Sequence, residues 1–130
     1  MLTEPQINDL QTELDTLAQN IHDDSLELAQ KQTEQHEIDD EIETIKAAMM
    51  SEIFNERFEI NNKLKYTNDD QRRVRLIELQ NERADYKTLV AARRNSIQAQ
   101  AGIAARIEMQ RKSFKAKELT LLYHSNNPAA

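Results

Sequence analysis

Tyr66-Thr67-Asn68-Asp69-Asp70 is a short polar break between two long runs of helix-compatible residues. Thr, Asn and Asp hydrogen-bond to nearby backbone, so they suit turns and helix caps better than helix interiors. The charge reverses across this break. Residues 1–60 carry 16 acidic and 3 basic side chains, a net of −13, whereas residues 61–130 carry 7 and 14, a net of +7. Helices of opposite sign attract when laid flank to flank and repel their own kind. The break is therefore expected to be the bend of a helical hairpin, with Tyr66, Thr67, Asn68 and Asp70 forming the turn and the cap of the second helix. Thr67 followed three residues later by Asp70 has the spacing of a capping box.

Composition supports few, long elements. The 130 residues include one Gly and two Pro, 31% charged and 5% aromatic side chains, and no Trp. Tight turns consume Gly and Pro, so a chain with three such residues bends rarely. Its Glu, Gln, Lys, Arg, Leu, Ile and Ala are helix formers or helix-compatible. The fold class expected is all-α, with two long helices packed as an antiparallel coiled-coil hairpin. The expected boundaries are about 4–62 for the first helix, about 63–68 for the turn, about 69–124 for the second helix, and a tail over 125–130, as one domain.

Along the first helix, a spacing of alternating threes and fours runs from Ile7 through Leu10, Leu14, Leu17 and Ile21 to Asp24. It continues through Leu28, Lys31, Gln35, Ile38, Ile42 and Ile45 to Met49. That is a heptad seam, interrupted at Asp24, Lys31 and Gln35 by polar residues of the kind that fix register in coiled coils. Thr3 with Gln6 makes a capping box at its start, and Pro5 is tolerated in the first turn. Beyond Met49 the apolar residues thicken (Met50, Ile53, Phe54, Phe58, Ile60), a face broader than a two-helix seam requires. Contact with something beyond the two-helix seam is expected there.

The second helix has a weaker seam. It runs Leu76, Leu79, Tyr86, Val90, Ile97, Ala104, Ile107, Phe114 and Leu121, with Arg83, Arg93, Gln100 and Arg111 interleaved, until Pro128 stops the helix. Folding at the break pairs positions whose numbers sum to about 131. Ile38, Ile42, Ile45, Tyr86, Val90, Gly102 and Phe114 are then the hairpin-packing residues, and Asp24 has Arg106 or Arg111 in reach. Gly102 costs about 1 kcal/mol against Ala in a helix, which points either to a close helix–helix approach or to simple tolerance at an exposed site. A hairpin buries one stripe per helix, so self-association is expected, most simply as a dimeric four-helix bundle.

Chemistry finds little footing in these residues. None of His22, His36 and His124 has an acidic residue three positions earlier, as a bundle di-metal site requires. There is no Cys, no Gly-x-Ser-x-Gly and no Gly-rich phosphate loop. No catalytic, metal or cofactor-binding residue is assigned, and the chain is expected not to be an enzyme. Arg72, Arg73, Arg75, Arg93 and Arg94 could track phosphates, but the carboxylates of the first helix compete for them, so nucleic acid is not the favoured partner. No apolar run spans a bilayer and the N-terminal residues lack a signal-peptide pattern, so no membrane association and a cytoplasmic location are expected.

Tyr66-Thr67-Asn68-Asp69-Asp70-Gln71-Arg72-Arg73, together with Tyr86 and Lys112-Ser113-Phe114-Lys115-Ala116, resembles a group of uncharacterised small helical proteins of tailed phages and prophages. Those share a Tyr-Ser/Thr-Asn-acidic-acidic-x-Arg break, a Tyr twenty residues on and a basic-Phe-basic-Ala close. The resemblance covers roughly residues 45–117. It implies a phage-like origin, in the host cytoplasm, among genes for replication and recombination, with no assigned functional residues to carry over. The favoured expectation is a structural or interaction protein that self-associates and docks a partner the sequence does not name. The alternative is an accessory factor in phage DNA metabolism that binds DNA, or proteins on it, through the basic second helix.

Overall fold

The computed structural model describes residues 2–126, and every regular element in them is helical. There are three helices: α1 (Glu4–Asn55), α2 (Asp69–Glu82) and α3 (Ala84–Asn126). The tail at 127–130, with Pro128, lies outside the described residues. The chain divides into two compact units, one formed by residues up to Gln32 with those from Gln98 onward, the other by Thr33–Ile97.

α1 begins as its sequence specifies. The Thr3 amide donates to Gln6 Oε1 at 2.8 Å and the Gln6 amide donates to Thr3 Oγ1 at 3.3 Å, a reciprocal capping box. All thirteen seam positions from Ile7 to Met49 are buried or half-buried, Asp24, Lys31 and Gln35 among them. In the first unit, partners rise in number along α1 as they fall along α3, so the two segments run antiparallel. Glu13 pairs with Lys117 (3.7 Å), Asp24 with Arg106 (2.8 Å), and Gln100 Nε2 reaches the Lys31 carbonyl (3.4 Å). Ile103 and Ile107 are its most buried apolar side chains.

The second unit holds the densest core. Met49 and Ile53 of α1 are fully buried against Leu79 of α2, with Ile45, Met50, Tyr66, Leu76 and Tyr86 packed around them. The apolar thickening beyond Met49 thus finds part of its partner inside the chain. Asp39 of α1 and Arg93 of α3 close this unit with an ion pair of 2.6 Å.

Four expectations need correction. The first helix ends at Asn55, not near residue 62. Residues 56–65 form instead a short bridged turn: the Lys65 amide donates to the Glu56 carbonyl, the Phe58 amide to the Lys63 carbonyl, and Arg57 faces Leu64 across one β-bridge. Asn62 supplies the left-handed residue (φ 57°), a conformation Asn tolerates better than most.

The second helix is two helices. Arg83 leaves helical geometry (φ −82°, ψ 114°), its amide still donating to the Leu79 carbonyl at 2.9 Å. Its guanidinium holds Asp85 by two hydrogen bonds of 3.1 and 2.8 Å, and Asp85 Oδ1 accepts from the Tyr86 amide at the start of α3. This break lets Leu79 enter the core while Tyr86 packs at its edge.

The cap of α2 is Asn68, one residue after the expected Thr67. Asn68 Oδ1 accepts from the Gln71 amide at 2.9 Å, and Gln71 Oε1 reaches back to the Thr67 amide at 3.0 Å. Asn outranks Thr as an N-cap, and it is Gln71, not Asp70, whose side chain reaches back across the helix start, to the amide before the cap.

Gly102 makes no close approach. It is exposed, and a Cβ placed on it would meet nothing within 4 Å. The seam of α3 shifts by one residue in this region: Ser96 and Ile103 are buried, while Ile97 and Ala104 are exposed.

Candidate interaction surface

The turn over residues 56–65 is well braced by its own backbone. Besides the bridge bonds, the Asn62 amide donates to the Phe58 carbonyl at 2.9 Å. Arg57 Nη1 donates to the Asn62 carbonyl at 2.9 Å, and the Lys63 amide donates to Asn61 Oδ1 at 3.1 Å. At its apex stands Ile60, 99% exposed. Leu64 is also exposed, and Phe54 and Phe58 each leave 47% of their surface uncovered. On the outer face of α2, Val74 and Ile77 are more than half exposed. Large apolar residues scattered singly on a surface are ordinary, but a cluster at one end of a unit marks an interaction site.

Ionic contacts hold this end together. Arg75 lies 3.7 Å from Glu56, 3.1 Å from Glu78 and 3.8 Å from Glu82, tying the turn to α2, and Lys65 meets Glu56 at 3.3 Å. The Arg72 guanidinium lies over the Phe54 ring, 4.3 Å from its centroid, and Lys65 Nζ stands 5.8 Å from that of Phe58. Such cation–π contacts stabilise partly exposed aromatic rings without hiding them. Beside them a shallow groove of about 380 Å³ is lined by Tyr66, Asp70, Gln71, Val74, Arg75 and Glu78.

The arginines considered for phosphate binding are mostly engaged within the chain. Arg72 meets Asp69 at 3.3 Å, Arg73 meets Asp70 at 3.9 Å, Arg75 has the three glutamates above, and Arg93 has Asp39. Arg94 alone of the five makes no ion pair among the described residues. Of the hairpin-packing residues, Ile42 is buried and Ile38, Ile45, Tyr86, Val90 and Phe114 are half-buried, leaving Gly102 as the exception. Tyr66 packs against the core, Thr67 and Asn68 cap α2, and Asp70 is exposed beside Arg73. Sequence reasoning missed Ile60 as a surface feature, because an apolar residue next to a helix reads first as core. The signal was its place two residues before Asn62, in a run without helical spacing.

Among the described residues no three His, Asp or Glu side chains come together as a metal site, and no helix is long and apolar enough to cross a membrane. The fold and this surface define an all-helical protein with an apolar turn at one end of its second unit. No protein-family description, curated protein or solved structure matches the chain.

Proposed function

We propose that this chain is a non-enzymatic structural or interaction protein, an antiparallel coiled-coil hairpin that self-associates, most simply as a dimeric four-helix bundle. The observation that carries this reading is the set of cross-helix ion pairs. Asp24 and Glu27 with Arg106 and Glu13 with Lys117 lie in one unit, and Asp39 with Arg93 lies in the other. Each joins acidic α1 to basic α3, which is the pairing that opposite charge favours. Leu26, Met109, Leu119 and Leu122 remain exposed on the same helices, apolar surface that a second hairpin would cover. The absence of a catalytic role rests on the sequence, which offers no activated nucleophile or phosphate loop. The phage-like origin and the host-cytoplasm setting rest on the resemblance at residues 66–73 and its flanks.

Light scattering over a concentration series tests the reading. The expected mass is twice the 15.1 kDa of the chain, and a monomer at every concentration would refute it. The DNA-binding alternative draws support only from the exposed cations of α3, since four of the five nominated arginines have internal carboxylate partners. Salt-sensitive retention on single-stranded DNA at physiological ionic strength would favour that alternative instead.

A further inference from the structure

Within the first unit, α3 carries a second heptad stripe besides the one it turns to α1. Ala105, Met109, Lys112, Ala116, Leu119 and Tyr123 follow one another at alternating fours and threes, and all six are exposed. The stripe buried against α1, with Ile103 and Ile107 at its head, points nearly the opposite way at about 3.6 residues per turn. Met109 is 72% exposed, Tyr123 66% and Leu119 53%. Large apolar side chains at this period form the face against which a second helix packs.

The charges beside the stripe indicate what covers it. Glu108 and Lys115 flank it on one side, one heptad apart. Lys115 makes no ion pair among the described residues, and Glu108 only touches its own helix neighbour Lys112, at 3.7 Å in open solvent. Two copies of α3 running parallel would set Lys112 against Lys112. Antiparallel copies pair flanking residues of constant number sum, in steps of one heptad. At a sum of about 230, Lys115 meets Lys115 of the other chain, and at about 216 Glu108 meets Glu108. At about 223, Glu108 of each chain meets Lys115 of the other, twice, and Leu122 covers Ala101. On the stripe itself Ala105 then faces Ala116, and Met109 packs on the methylene stem of Lys112. Leu119 lies over Gly102, where an added Cβ meets nothing within 4 Å and there is room for it.

From this we infer that the outer face of α3 is a docking surface whose occupant is the same face of a second copy, antiparallel about a two-fold axis. Met109, Leu119 and Leu122 form its apolar centre, and the two Glu108–Lys115 pairs between chains set its register. An apolar centre with a charged rim is the usual anatomy of a specific interface. Within the first unit this places the two α3 segments inside and the two α1 segments outside. The inference rests on the reading that the chain self-associates, and it names the surface, the direction and the register.

The test is solution mass and dissociation constant of the full chain by sedimentation, with circular dichroism to show that every variant keeps its helices. Leu119→Glu, on an exposed face, should fold normally and weaken self-association by about tenfold or more, as loss of a central interface anchor does. Glu108→Lys and Lys115→Glu should each weaken it by about threefold or more, because each sets like charges opposite. An equimolar mixture of those two variants should dimerise as the wild type does, since every flanking contact between them joins opposite charges. If Leu119→Glu weakens association but the mixture does not recover it, the antiparallel register is refuted. If the wild type dimerises and Leu119→Glu has no effect, this surface is refuted while self-association elsewhere stands. A wild-type monomer at all concentrations sinks both readings. Binding of that monomer to anionic vesicles, lost in Leu119→Glu, would assign the face to a lipid surface and likewise overturn the inference.

Discussion

Arg106 holds Asp24 by two hydrogen bonds, Nε to Oδ2 at 2.9 Å and Nη2 to Oδ1 at 2.8 Å, while Nη2 also reaches Glu27 at 3.2 Å. Asp24 occupies a seam position of α1, where its side chain is only 15% exposed. A polar residue at such a position contributes little net stability by comparison with Leu or Ile. It penalises every register in which it lacks a partner. Asp24 and Arg106 therefore fix how α1 and α3 align within their unit.

The Arg106 hydrogen bonds hold the Asp24 carboxyl below the usual carboxylate range, against the opposing effect of burial. A carboxyl lowered on folding adds stability above its unfolded value of about 3.9, and that stability is lost as the pH falls through the lower folded value. Comparing Asp24→Asn with the wild type isolates this group from the other acids. The wild type should melt higher above about pH 5, and the gap should close as the pH drops below about 4. A gap that persists unchanged well below pH 4 would show that the ionised form does not matter.

Much of α1 was legible because its pattern is strict. The seam from Ile7 to Met49 and the Thr3–Gln6 box both appear as the spacing predicts, and of the two arginines expected within reach of Asp24 it is Arg106 that pairs with it. What escaped was local. Nothing at Arg83 signals a break, since neither Gly nor Pro is near; the bidentate Arg83–Asp85 contact that accompanies it has no sequence signature. The seam of α3 was followed by strict heptad counting past Val90, which selected Ala104 over Ile103. Burial falls instead one residue earlier, on Ser96 and Ile103; apolar area favours that register at Ile103 over Ala104 but not at Ser96 over Ile97. The apolar turn was invisible for the opposite reason: Ile60 and Phe58 looked like the end of a buried face.

The core of the second unit gives the largest expected mutational effects. Ile53 is fully buried among Met49 and Leu79, so Ile53→Ala removes buried methyl groups and leaves a cavity, a loss of about 2–5 kcal/mol. Ile60→Ala, at a position that touches no core, should change chain stability by less than about 0.5 kcal/mol. Urea unfolding of the two variants under identical conditions measures the difference. Equal losses would contradict the placement of either residue.

The cap of α2 can be assigned by the same kind of measurement. Asn68→Ala deprives the Gln71 amide of its acceptor and should cost about 1 kcal/mol. Thr67→Ala leaves the Thr67 amide free to donate to Gln71 Oε1 and should cost less. The reverse order would restore Thr67 as the cap.

Gly102 offers the most direct test of how α3 is packed. Had this glycine marked a close approach between helices, any added side chain would push them apart and destabilise the chain. In the structure it is exposed and a Cβ there has open space around it. What remains is the intrinsic preference of a helix interior, where Ala is favoured over Gly by about 0.8–1 kcal/mol, because glycine loses more backbone freedom on folding. Gly102→Ala should therefore raise the melting temperature, and Gly102→Leu should be tolerated as well. Destabilisation of the dissociated chain by either substitution would mean that a neighbouring helix lies against this face.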